Sequence, residues 1–195
     1  YRTQVKSQVD LAAFTPVPWP DTRPGPWIAA QLPGGGRIAF DPWLHTVKEI
    51  AEIEAALAGG GVTLVPAANF VDRIWAGQPA PPVGRVSIQP EAFAGEPAAA
   101  RRARIGAILA DAGQMSAVLT LPDSISWLLN IRGSDVPRNP VVQSLAILHR
   151  DGQVDLFVDA AKLSAELRLH LGPEVTVQDP AGFEAALGRL QGPVR

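Results

Sequence analysis

The sequence predicts a mixed α/β fold, and three observations carry that reading. Short apolar runs of strand character alternate with segments of helical periodicity along most of the chain. The pair Asp151-Gly152 stands between two apolar runs, a hairpin signal that puts at least one antiparallel pair into the sheet. Glycine or proline closes nearly every periodic segment, which keeps the elements short and layered.

In chain order, residues 1–10 alternate unevenly and start without a turn or cap before them. Pro16, Pro18, Pro20, Pro24 and Pro26, interrupted by Trp19 and Trp27, make a packed connection. Gly34-Gly35-Gly36 turns into a short strand at Arg37–Phe40. These glycines precede the strand and no Lys-Ser/Thr pair follows, so they are not a phosphate loop. Thr46-Val47-Lys48-Glu49 is a capping-box pattern, with Ile50, Ile53 and Leu57 on one face of the helix that follows. Gly59-Gly60-Gly61 ends that helix and Val62–Val65 is the next strand. The shift to Pro, Gly and Ala between Ala76 and Pro97 marks a domain boundary, giving residues 1–76, a connection over 77–96, and a second domain over 97–195.

The second domain begins with a helix from about Pro97, with Ile105, Ile108, Leu109 and Ala112 buried and Arg101, Arg102, Arg104 and Asp111 turned to solvent. Ala117–Thr120 is a buried strand. Asp123 is a cap for a short helix carrying Ile125, Trp127 and Leu128, although so brief a run also suits a strand. Ser144–His149 and Gln153–Val158 are the hairpin strands. Asp159 caps one helix through about Leu171, Val175–Val177 is a strand, and Asp179-Pro180 opens a last helix with Phe183, Leu187 and Leu190 buried.

Composition narrows the function classes. A formal charge of −2 argues against a nucleic-acid partner, because binding phosphates calls for a basic surface. No apolar run approaches membrane-spanning length, so no membrane partner is expected. Cysteine is absent, which removes disulfides, thiolate metal sites and a cysteine nucleophile, and a cytoplasmic protein is the simplest reading.

The candidate site is the polar loop after the apolar run at Ile125–Ile131. It carries Arg132, Ser134, Asp135 and Asn139, begins at Gly133, and is stiffened by Pro137 and Pro140. The stretch Trp127-Leu128-Leu129-Asn130-Ile131-Arg132-Gly133-Ser134-Asp135-Val136, closed by Asn139-Pro140-Val141, resembles a signature of the large three-domain Xaa-Pro aminopeptidases. Tyr1-Arg2-Thr3-Gln4, Asp41-Pro42 and Asn69-Phe70-Val71-Asp72-Arg73-Ile74-Trp75 resemble further blocks of the same family.

This resemblance implies a creatinase/prolidase N-terminal-type domain, a ribonuclease H-like layered α/β fold, preceded by a truncated domain of similar fold in which the first residues of this sequence form a strand paired with earlier ones. It also implies a non-catalytic region of a metal-dependent hydrolase that removes the residue before a proline. The divalent pair, Mn or Zn, is expected in a catalytic domain beyond Arg195. By the same resemblance the partners are a peptide substrate, met through the longer enzyme, and a second copy in a homodimer. Arg132 is then a cation for a substrate carbonyl or carboxylate, or a partner for Asp135; the residues alone leave both open. A stand-alone binding or scaffold module of the same fold is the rival reading.

Catalytic chemistry within this chain finds little support. His45, His149 and His170 are its only histidines, and none sits at metal-ligand spacing from a carboxylate pair. Ser134-Asp135 is not a nucleophile elbow, since no G-x-S-x-G occurs. No cofactor and no catalytic residue is assigned to this chain.

Overall fold

Residues Arg2–Gln8 form a helix, α1, and not the strand that the resemblance implies for the first residues, in the computed structural model, which describes residues 1–195. The segment RTQVKSQ has one apolar residue and buries none, so it has no face to lay against a sheet. Local i→i−4 bonding satisfies its backbone without a partner strand.

The chain divides into two units, Tyr1–Pro79 and Ala80–Arg195, and each is described by itself. In the first unit α1 is followed by α2 (Pro24–Gln31), β1 (Gly36–Phe40), α3 (Val47–Leu57), β2 (Val62–Pro66) and α4 (Phe70–Ile74). Strands β1 and β2 pair in parallel, Gly36 opposite Val62 through Phe40 opposite Pro66, with α3 as the crossover that a parallel pair requires. The capping box forms as predicted: Thr46 Oγ1 accepts from the Glu49 amide at 3.1 Å and Glu49 Oε2 accepts from the Thr46 amide at 2.8 Å.

In the second unit the order is β3 (Ser87–Ile88), α5 (Glu91–Ala94), α6 (Ala98–Asp111), β4 (Ser116–Leu119), α7 (Pro122–Leu129) and β5 (Ile131–Arg132). Then come β6 (Leu145–His149), β7 (Val154–Phe157), α8 (Ala165–Leu171), β8 (Val175–Gln178) and α9 (Phe183–Leu187). The main sheet has the order β4-β6-β7-β8, antiparallel at β4-β6-β7 and parallel at β7-β8. This is the mixed sheet the hairpin signal called for, and Gly152 takes φ 86° in the turn, where a side chain would be strained.

Alternation along the strands sorts the core into two faces. Ala146, Leu148, Val154 and Leu156 pack with α6, α7 and α8, whereas Ile147 and Phe157 pack with Phe183 and Ala186 of α9. The Phe157 and Phe183 rings meet edge to face at 5.1 Å. Helices on both faces make a three-layer mixed α/β unit.

Several local readings are corrected. Arg101 and Arg102 are buried rather than solvent-facing, while Ile108 and Ala112 of the predicted stripe are exposed. Helix α6 is covered by α7 as well as by the sheet, so part of its charged side also lies inside. The single helix expected from Asp159 to Leu171 is two pieces. Asp159 caps a 3-10 turn at Ala160–Lys162, and Ser164 recaps α8 by accepting from the Leu167 amide at 3.1 Å. The last helix likewise starts with a 3-10 turn at Pro180–Gly182, and its Leu187 is exposed. Residues 122–129 are helical, and Asp123 lies in the first turn without capping it; Leu121 is the N-cap and Pro122 the first helical residue. Residues 80–96 belong to the second unit, with Val86 buried and β3 paired antiparallel to β5.

Candidate functional site

The polar loop leaves the sheet at β5 and is shaped by its own sequence. Val136-Pro137-Arg138-Asn139 closes a tight turn through Asn139 N–H donating to Val136 C=O at 3.1 Å. Proline presets the second position, and Arg138 adopts φ 64° at the third, the requirement of a type II turn. At Gly133 an added Cβ would lie 2.3 Å from the Val141 carbonyl oxygen, so only glycine lets the two sides of the loop approach.

Asp135 is the pin. Its side chain is 0% exposed and accepts three hydrogen bonds: from Gly84 N–H at 2.9 Å, from Gln143 N–H at 2.8 Å, and from Lys162 Nζ at 2.8 Å. Lys162 is itself 5% exposed and reaches the Gln143 carbonyl at 3.4 Å. A buried ion pair has to recover the desolvation of both charges through good geometry and further hydrogen bonds, and this one has both. The loop is therefore tied to Gly84 before β3 and to the 3-10 turn after β7.

The predicted site residues separate into two groups. Asp135 is consumed by structure, and its cation is Lys162 rather than Arg132. The sequence signal for that pairing was absent, because Lys162 lies 27 residues away in a segment read as plain helix. Ser134 donates to the Arg85 carbonyl at 3.3 Å. Arg132, half-buried, donates to the neighbouring Ile131 carbonyl at 3.0 Å and makes no ion pair. Arg138 and Asn139 are exposed at the tip. The loop thus presents cationic and amide donors from a stiff turn, suited to a carbonyl or carboxylate.

A second cluster, missed by the sequence reading, holds the helix beneath the loop. Asn130 caps α7 in the left-handed region (φ 51°) and donates from Nδ2 to the Glu96 carbonyl at 2.8 Å. The buried Arg101 guanidinium donates to Asn130 Oδ1 at 2.6 Å, to the Trp127 and Ala94 carbonyls, and to Glu96 Oε2 at 3.2 Å. It also lies 4.3 Å from the centre of the Trp127 ring, a cation–π stack. The Glu96 carboxyl is held below its usual value, chiefly by hydrogen bonding from Arg104, with Arg101 adding to it. The motif residues Trp127 and Asn130 are thus bound into the scaffold through an arginine outside the motif.

No three His, Cys, Asp or Glu side chains converge as a metal site. His149 pairs with Asp155 at 2.9 Å, His170 meets the Leu129 carbonyl at 3.0 Å, and His45 packs edge-on to Phe40. The donor set therefore does not fit a metal pair.

Comparison with known proteins gives these findings. Residues 77–194 match the family described as Creatinase/Prolidase N-terminal domain. A probable Xaa-Pro aminopeptidase P from Talaromyces stipitatus is 36% identical over 154 residues, covering 78% of this chain and 23% of the relative. Aminopeptidase P2 from Arabidopsis thaliana is 36% identical over 148 residues, 74% of this chain and 21% of the relative. The crystal structure of X-prolyl aminopeptidase from Caenorhabditis elegans, described as a cytosolic enzyme with a di-nuclear active site, superposes with a TM-score of 0.85 at 27% identity. That superposition covers 95% of this chain and 31% of the solved one. The chain thus spans 21–25% of the length of the curated relatives it matches.

Proposed function

We propose, for a chain that belongs to the creatinase/prolidase N-terminal domain family, that it forms the non-catalytic front of an Xaa-Pro aminopeptidase. The match to 31% of an enzyme with a di-nuclear site, by a chain without a convergent donor set of its own, is the observation that carries this reading. The hydrolase chemistry then belongs to a further domain, where a metal pair supplies an activated water and a clamp on the scissile group. The first unit is read as the rear part of a domain of similar fold. Residues 132–139 border the substrate entrance, limiting access to peptides, and further surface contributes to homodimer contacts in a cytoplasmic enzyme.

In this reading Arg132 and Asn139 position the peptide. Arg132 supplies a cation to a substrate carbonyl or carboxylate, and the Asp135–Lys162 pair keeps the loop from drifting. The test is to express these residues continuous with their downstream sequence and assay Xaa-Pro peptides with manganese or zinc. Turnover is expected there and not from residues 1–195 alone; turnover by the latter overturns the proposal. In the active longer protein Arg132→Ala should raise KM about tenfold with kcat little changed, as loss of one charged contact implies. Unchanged KM across peptide lengths would remove Arg132 from substrate handling.

A further inference from the structure

We propose that the first turn of α6 and the buried Arg102 guanidinium form an oxyanion pocket, for a phosphate or carboxylate group carried on a small molecule. Neighbouring arginines make the case. Arg101, 3% exposed in its side chain, has hydrogen-bond partners on every side. Arg102, 5% exposed, donates no hydrogen bond within the chain, and its Nε is buried without a partner. Its nearest opposite charge is Glu174, Oε2 at 3.6 Å, beyond hydrogen-bonding contact, and the Glu174 side chain is 56% exposed. Burial holds this guanidinium below its usual range, and Glu174 offsets that only in part. A forked donor almost withdrawn from solvent, with its Nε unpaired and its only opposite charge at 3.6 Å, suits a planar or tetrahedral oxyanion.

The surroundings supply more donors. A cavity of about 300 Å³ is lined by Ala98, Ala99, Arg102, Asn130, His170 and Glu174. Helix α6 runs 14 residues from Ala98, its N-cap is Pro97, which has no capping side chain, and its first turn has no acidic residue. The adjacent Glu96 carboxylate is already engaged by Arg101 and Arg104. The opening amides of α6 are therefore left for another acceptor, with the positive end of the helix dipole behind them. Arg102 stands four residues after Ala98, on the same helix face, and it lines the same cavity as Ala98 and Ala99. Glu174 is the internal competitor for that cation, and Glu91 adds a second carboxylate at the lining.

The test is titration of the 195-residue chain with inorganic phosphate and, separately, with acetate, at constant ionic strength, followed by calorimetry and thermal melting. Saturable binding of either anion is expected; acetate binding assigns the carboxylate class, and binding of phosphate alone assigns the phosphoryl class. Glu174→Gln should tighten binding about fivefold by removing an exposed ion-pair competitor. Ala99→Asp, at an exposed position, should abolish binding by placing a fixed carboxylate in the first turn, where it also favours the helix. Arg102→Gln should abolish it as well. Absence of saturation in both the unaltered chain and Glu174→Gln overturns the proposal, as does binding that neither Glu174→Gln nor Ala99→Asp changes.

Discussion

Tyr1–Pro79 and Ala80–Arg195 are both built of helices and strands, yet they solve the burial problem unequally. In the first unit Leu57 is the one buried apolar side chain, while Trp19, Trp43, Phe70 and Ile74 stay exposed. A cleft of about 800 Å³ opens among Ile38, Phe40, Ile53 and Leu64. The second unit holds every other buried apolar residue, with twelve large side chains of the molecule almost wholly enclosed. The difference is one of layers. Two parallel strands with helices α2 and α3 leave apolar surface uncovered, whereas four strands between two helical layers use both faces.

The largest effect follows directly. Expressed apart, residues 80–195 should unfold in one cooperative transition, whereas residues 1–79 should show weak amide dispersion and bind a hydrophobic dye. A sharp, reversible melt of 1–79 alone would break the comparison. Next in size, Asp135→Ala strands the Lys162 cation in the second unit and should cost about 3–5 kcal/mol in urea denaturation of residues 80–195. A loss below about 1 kcal/mol, the range of an exposed pair, would show that the pin is solvated.

Acid sensitivity sharpens the comparison more gently, because each unit contains a depressed carboxyl. Glu49 is lowered by its hydrogen bonds to Thr46, and Glu96 by Arg104 first and Arg101 after it. A folded value below the unfolded one means stabilisation present above the ordinary value of 4.5 and lost as pH falls through the lower folded value. Glu96→Gln should therefore flatten the acid limb of the second unit's melting curve below that pH, and Glu49→Gln should leave that limb alone. Equal slopes in Glu96→Gln and the parent would discard the assignment. Smallest of all, Arg138→Gly relieves a left-handed side-chain position and should change stability by less than about 1 kcal/mol, with the turn retained in amide exchange.

Much of the fold was legible because it rests on local rules. The Thr46–Glu49 box, the Asp151-Gly152 hairpin and the apolar strands need only neighbours in sequence. The reading failed where a residue's environment comes from elsewhere. Arg101 looked like a solvated helix face, since periodicity sees one helix and not the α7 laid over it. The first residues were expected as a strand from the resemblance, and nothing local says whether an edge exists to pair with; they form α1 instead. Asp159–Leu171 looked continuous, although Lys162 had to turn inward to Asp135 and the chain was recapped at Ser164. For the candidate site, the motif marked where the loop lies, but not which of its residues are spent on holding it.

The sequence by itself determined most of the element types, the mixed sheet, the stiff loop and its likeness to one family of enzymes, because propensity, capping and turn chemistry act over a few residues. Only the tertiary structure decided which charges are buried and with whom. Desolvation and pairing depend on distances between segments far apart in the chain, as for Asp135 with Lys162, and Arg102 with the first turn of α6.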